Sequence, residues 1–248
     1  MKPNIFPTPQ ALGKAAAAKT AQILNAAIAE KGCARIILST GASQFETIKN
    51  LREADVDWTK VEMFHLDEYI GVDANHGASF VKYLRERFVG LENGLSLKKA
   101  HYIDGLADPQ RVMADMTAEL RKSPVDIALI GIGENAHIAF NDPPADFDTR
   151  DAFIIVDLDD ACKNQQVREG WFPTMDDVPK QAITMTPYQI MQANVIISAV
   201  PYAQKAEAVK KTMENEVTNL IPSTLLTTHA DWSLYVDADS AALIGGLA

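Results

Sequence analysis

Asp126-Ile127-Ala128-Leu129-Ile130-Gly131-Ile132-Gly133-Glu134-Asn135-Ala136-His137-Ile138-Ala139-Phe140-Asn141-Asp142-Pro143-Pro144 carries an apolar run that gives way, after Ile130, to a loop of glycine, acid, amide and imidazole. A short apolar run bounded by glycine reads as a buried strand. Its polar tail then falls at the carboxyl end of that strand. In an open parallel sheet this is where ligands collect, because loops converge there and helix amino termini point N–H groups at the crevice. The fold therefore turns on whether the flanking sequence supplies more strands of the same kind, separated by helices.

It does. Thr8-Pro9 followed by Leu12, Ala16, Ile23, Ala27 and Ile28, and closed by Gly32, reads as a capped helix with an apolar stripe. Arg35 to Leu38 reads as a strand, Ser39 to Ser43 as a tight loop and Gln44 to about Arg52 as a helix. A second strand is expected at Val61 to His65, then a polar loop from Asp67 to Asn75, a helix bearing Phe80, Leu84 and Phe88, and another from Asp108-Pro109 through Met116 and Leu120. Further strands are expected at Phe153 to Val156, Val195 to Ser198 and Trp232 to Val236, with helices at Pro187 to Gln192, Ala203 to Met213 and Ser223 to His229. This alternation predicts the α/β class, a mainly parallel sheet with helices on both faces and right-handed crossovers, as one domain over residues 1–248. Asp159 to Lys180 lacks clear periodicity and holds Trp171, Phe172 and Pro173, so it is expected to be a loop or lid over a site.

Composition narrows the partners. Over 248 residues, 23 basic against 33 acidic side chains leave a net charge of -10, with 47% hydrophobic and 23% charged residues. Such a surface repels phosphate backbones, so nucleic acid is not an expected partner. The two cysteines, Cys33 and Cys162, lie far apart and show no zinc spacing, which points to reduced thiols and a cytoplasmic setting. Met1 to Pro9 lacks a signal-peptide core, and no apolar run approaches the ~20 residues that cross a bilayer, so no membrane association is expected. A homo-oligomer stays open.

Three polar segments fall at strand ends. Ser39-Thr40-Gly41-Ala42-Ser43 offers hydroxyls and a glycine ahead of a helix, which suits either a phosphate or an ordinary helix cap; without a P-loop lysine it does not imply a nucleoside triphosphate. Phe64-His65-Leu66-Asp67-Glu68-Tyr69 sets two acids after a strand, of which at most one faces the crevice. They read as a solvated turn or, beside apolar rings, as a carboxylate of raised proton affinity fit to act as general base at carbon. The third segment satisfies GxGxxA, with Asp157 at the end of the next strand, but Pro143 and Pro144 break the long helix a dinucleotide turn must open. His137 with Asp142 suggests instead a carboxylate holding an imidazole in one tautomer while its other nitrogen exchanges protons with a substrate oxygen, or a histidine bonded structurally in a tight loop. With one histidine nearby no metal site is expected, and no serine-hydrolase elbow occurs.

Together these segments resemble the glucosamine-6-phosphate deaminase/isomerase family, which shares its Rossmann-like fold with 6-phosphogluconolactonase. LSTGAS looks like the family's phosphate loop, FHLDEYIGV like its signature after the second strand, and GIGENAHIAFNDP like its catalytic loop; VPKQAIT, AQKAEAV and STLLTTH add agreement in consistent order. The resemblance implies that Thr40, Gly41, Ala42 and Ser43 hold a sugar 6-phosphate, with Lys205 and Arg168 supplying positive charge. It implies that Asp67 is the general base shuttling a proton between C2 and C1, that His137 opens the pyranose ring, and that Asp142 is its carboxylate partner. No metal or organic cofactor is implied, and the substrate is a small phosphosugar.

The chain departs from the commoner pattern at several positions. Asn135 stands where an aspartate is usual, so one member of the histidine relay is an amide. Ala136 replaces a glycine and places a methyl group where the loop is expected to approach the sugar. Asp142 is one methylene, ~1.5 Å, shorter than the usual glutamate, a gap the loop or a bridging water must fill. Ala42 and Gln44 replace the commoner glycine and proline. The expected activity is aldose–ketose isomerisation with loss of ammonia from glucosamine 6-phosphate or a close amino-sugar phosphate. The alternatives are a 6-phosphogluconolactonase and a non-catalytic sugar-phosphate sensor.

Overall fold

The computed structural model describes residues 2–90, 94–168 and 170–244. Its strands are β1 (Asn4–Phe6), β2 (Ala34–Leu38), β3 (Val61–His65), β4 (Asp67–Tyr69), β5 (Lys99–His101), β6 (Ile127–Leu129), β7 (Phe153–Asp157), β8 (Gln181–Met185), β9 (Val195–Val200) and β10 (Trp232–Asp237). Seven of them form one sheet in the order β1-β10-β9-β6-β2-β3-β5, and every neighbouring pair is parallel. All of β2 and β6, at the centre of the sheet, is buried, because helices cover both faces. The α/β reading therefore stands.

Helix α1 (Pro9–Lys31) starts where the Thr8 side chain accepts the Ala11 N–H at 3.2 Å and stops at Gly32, whose left-handed backbone donates to Ile28 O at 2.9 Å. Its small residues let it press against α2 (Phe45–Arg52): a β-carbon on Gly13 would lie 2.5 Å from Glu46. Helices α3 (Phe80–Leu84) and α4 (Pro109–Leu120) follow, each capped by an oxygen of the preceding Ser79 or Asp108. The stripe of Phe80, Leu84 and Phe88 is helical throughout, with a wider π turn at Arg85–Val89.

Three readings need correction. Asp67–Tyr69 is not loop: β4 pairs antiparallel with β8, which pairs antiparallel with β7, forming a separate three-stranded sheet over one end of the main one. The segment from Asp159 to Lys180 contains α5 (Asp160–Arg168) and several turns rather than unbroken loop. Its helix has no apolar stripe for the sequence to betray. Ser223 to His229 is a run of 3₁₀ turns at Pro222–Thr228, while α6 (Pro187–Ile190) and α7 (Ala206–Glu214) are helices near their expected places. No helix among the described residues is long and apolar enough to cross a membrane. Cys33 is a free thiol, and the Cys162 side chain lies outside the described residues.

Candidate active site

Loops at the carboxyl ends of β2, β3, β6 and β9 surround one cavity of about 490 Å³. It opens beside the boundary between β2 and β6, where the chain runs outward from β2 to β3 on one side and from β6 to β9 on the other. Such a switch point leaves a crevice between diverging connections. Thr40, Gly41, Ala42 and Ser43 line it from the first segment, Asp67 from the second and His137 from the third. Lys205, ahead of α7, and Arg168, at the end of α5, line it as well. Asn135 and Asp142 do not; they stand behind His137.

The two adjacent acids have separate environments. Glu68 is fully buried and takes hydrogen bonds from Tyr69 N at 2.9 Å, Ser79 Oγ at 2.7 Å and Val81 N at 2.9 Å, fastening β4 to the start of α3. Asp67 points the other way, into the cavity, as side-chain alternation along β4 requires. Burial, helped by the neighbouring Glu68 charge, pushes its carboxyl up to about 8. A carboxylate in that state binds a proton strongly near neutral pH.

The third segment folds back on itself without forming a helix, so the dinucleotide alternative has no structural basis. Asn135 Oδ1 accepts the His137 N–H at 3.0 Å, and Asn135 Nδ2 donates to Asp142 Oδ1 at 2.9 Å. The same Asp142 oxygen lies 2.9 Å from His137 Nδ1. The loop therefore makes up for the short aspartate, and no bridging water is needed. Burial alone would raise the Asp142 carboxyl, but the contact with His137 and the Asn135 amide outweigh it and hold it below the ordinary carboxylate range. Ala136, with φ 68°, is fully buried in the hydrophobic core, so its methyl does not face the cavity as expected.

At the opposite wall, the Gly41 carbonyl accepts both Gln44 N at 3.1 Å and the Tyr83 hydroxyl at 2.9 Å. Tyr83 stacks on Phe45, and the Arg87 guanidinium lies 3.9 Å from the Phe45 ring centre. Gln44 is buried and donates to Ala199 O at 3.0 Å, tying the loop to β9. Arg168 Nη2 pairs with Glu134 Oε2 at 2.7 Å while remaining 62% exposed at the cavity mouth. Tyr83, Tyr202 and Gln204 also line the cavity. Tyr83 sits on a helix as an ordinary core residue would and nothing in the sequence marks Tyr202, whereas Gln204 falls within AQKAEAV, where only Lys205 stood out. No group of three or more His, Cys, Asp or Glu among the described residues is arranged to hold a metal ion.

The model of the family described as glucosamine-6-phosphate isomerases/6-phosphogluconolactonase matches residues 7–234. The chain belongs to this family. Among its relatives, a glucosamine-6-phosphate deaminase from Staphylococcus saprophyticus is 33% identical over 220 residues, 86% of this chain and 89% of that one. Another from Thermoanaerobacter pseudethanolicus is 32% identical over 234 residues, 91% of this chain and 90% of that one. A solved structure of a monomeric glucosamine-6-phosphate deaminase, described as the missing link of the NagB superfamily, superposes with TM-score 0.88 at 28% identity, covering 98% of this chain and all of that one. A 6-phosphogluconolactonase from Trypanosoma brucei superposes with TM-score 0.77 at 19% identity, covering 97% and 98% of the two chains, which reports the shared family fold.

Proposed function

We propose that the protein is a glucosamine-6-phosphate deaminase. It converts the amino-sugar phosphate and water to fructose 6-phosphate and ammonia in the cytoplasm, without a metal or organic cofactor. The observation that carries this reading is the meeting of Asp67, His137 and the Thr40–Ser43 loop around one cavity. The phosphate lies against that loop, with Lys205 and Arg168 supplying charge, so a chain of net charge -10 binds an anion through local donors.

His137, steadied by Asp142, takes the proton from the O1 hydroxyl and returns one to the ring oxygen, opening the pyranose. Asp67 in its ionised form then removes the C2 proton and delivers it to C1, while a proton given up by the amino group ends on O1, so that a C2=N imine replaces the C1 aldehyde. Water adds at C2, the C–N bond breaks, and ammonia leaves the ketose phosphate. A lactonase needs a water activated at a carbonyl but no second base at carbon, so the buried Asp67 favours the deaminase.

The test is to mix the pure protein with glucosamine 6-phosphate, related hexosamine phosphates and 6-phosphogluconolactone, following products by NMR. Ammonia and fructose 6-phosphate are expected. Neither product from any hexosamine phosphate would overturn the reading, and rapid lactone hydrolysis would put the lactonase in its place.

A further inference from the structure

Tyr202 holds a backbone conformation, φ 82° and ψ 147°, that glycine adopts freely and other residues rarely do. Both of its backbone polar groups are pinned there. Its N–H donates to the two carboxylate oxygens of the buried Asp237 at 3.2 and 3.1 Å. Its carbonyl accepts the Lys205 N–H at 3.0 Å, which starts the turn leading into α7. Asp237 is itself fixed by the Ser240 N–H at 2.8 Å. The corner between β9 and α7 thus demands this φ, and a glycine would satisfy it without strain. The other described non-glycine residues with positive φ, Ala136 and Ala139, carry only a methyl group. At position 202 a full phenol is retained at a conformational penalty, and that phenol stands in the cavity wall next to Gln204 and Lys205. It is also within electrostatic reach of Tyr83, whose hydroxyl holds the Gly41 carbonyl.

We propose that Tyr202 is a specificity-determining residue at the phosphate end of the cavity, its hydroxyl donating a hydrogen bond to a phosphate oxygen of the ligand. The inference rests on the reading of the Thr40–Ser43 loop and Lys205 as that end. Burial raises the phenol above its ordinary range, with Glu46 and Asp237 adding to the effect, so the hydroxyl keeps its proton and remains a donor at neutral pH. It supplies a neutral donor beside the Lys205 cation. Phosphate then meets a hydroxyl, a cation and backbone N–H groups from separate elements, a set that an uncharged hydroxymethyl group cannot use.

Three variants of the full chain test this, with calorimetric titration of inorganic phosphate and of glucosamine 6-phosphate, melting curves and steady-state kinetics. Tyr202→Phe keeps the ring and the strained backbone but loses the donor. It is expected to weaken both ligands by about tenfold, the ordinary worth of one hydrogen bond to a charged group, with kcat changed by less than about twofold. Tyr202→Ala and Tyr202→Gly lose the side chain equally, and both are expected to bind phosphate at least as weakly as Tyr202→Phe. The glycine variant should also melt above the alanine variant, reversing the order found at ordinary positions. Phosphate affinity unchanged in Tyr202→Phe would overturn the contact, and an alanine variant melting as high as the glycine one would overturn the strain argument. A wild-type protein that binds phosphate through Tyr202 yet releases no ammonia would sink the deaminase reading alone. Normal turnover with unaltered ligand affinity in Tyr202→Phe would sink the Tyr202 assignment alone.

Discussion

The His137 imidazole rests on the α-carbon of Gly133, so closely that a β-carbon there would lie 2.4 Å from both Cε1 and Nε2 of the ring. Gly133 also donates its N–H to the His137 carbonyl at 2.9 Å, and its own carbonyl accepts Ala136 N at 3.0 Å, so the backbone cannot retreat. The glycine is required for space. Gly133→Ala should swing the ring off its line with Asp142 and lower kcat by about 10²-fold, the usual contribution of a placed acid–base group. Inorganic phosphate, which the proposed function puts against the Thr40–Ser43 loop, should bind as before. Steady-state kinetics together with phosphate titration check this, and equal losses of turnover and phosphate binding would show that the loop as a whole had collapsed.

On the proposed mechanism Asp142 carries the charge that keeps the His137 relay in register. Asp142→Asn retains the shape but presents a neutral amide to His137 and to the Asn135 donor that already points at this position. Turnover should fall by about tenfold to 10²-fold with KM little altered, because the group acts on proton transfer and not on binding. The same pair has a stability signature. Since the Asp142 carboxyl lies below its ordinary range in the folded chain, its contribution is present above that range and is lost as the pH falls through it. Melting curves between pH 6 and 3 should be flatter for Asp142→Asn than for wild type.

Asp67 sets activity against stability. On the proposed mechanism the base is the ionised form, so kcat/KM should climb with pH up to about 8 and level off beyond it. Asp67→Asn should lower kcat by about 10²-fold or more and remove that limb while phosphate affinity stays. In the unfolded chain this carboxyl ionises from its ordinary value near 3.8, whereas the folded chain retains the proton to about 8. The unfolded state therefore binds fewer protons across that window, and folding is progressively weakened as the pH rises through it. Asp67→Asn escapes the penalty and should melt higher than wild type at pH 8, with a smaller gain at pH 5. A variant that melts lower at pH 8 would contradict the buried position of the carboxyl.

The strands that carry this site were legible because they are buried on both faces: β2, β3, β6, β9 and β10 read as apolar runs bounded by small or polar residues. The three-residue edge strands β1 and β5 gave no such signal, since Asn4, Lys99 and Ala100 are not fully buried and alternate with nothing. Asp67 and Glu68 looked like a turn because acids are rare in strands. They form one only through pairing with β8, more than a hundred residues away, which local propensity does not register. The meeting of Asp67 and His137 followed from the rule that ligands sit at strand carboxyl ends, and the place of Lys205 beside them from the family resemblance alone. The place of Tyr202 in the cavity wall did not, because a positive φ at a tyrosine is imposed by Asp237 from the end of β10.

His65, within the FHLDEYIGV stretch but outside the cavity, gives the fold an acid trigger. Its ring is fully buried beneath Tyr102; Nδ1 takes a long hydrogen bond from Ile103 N at 3.4 Å, and Nε2 has no hydrogen-bond partner among the described residues. Burial pushes the imidazole down to about 3, so the folded chain keeps it neutral where the unfolded chain has already protonated it. The stability of the neutral ring is whole above the ordinary histidine value of 6.5 and is drawn down below it, by about 1.4 kcal/mol for each pH unit until the folded ring itself takes the proton. His65→Leu, which fills nearly the same space without a titratable group, should remove that slope: the variant and wild type differ most at pH 4 and least at pH 7.5. Chemical denaturation at a series of pH values measures it. Parallel curves for the two proteins would mean that water reaches the ring and that the trigger lies elsewhere.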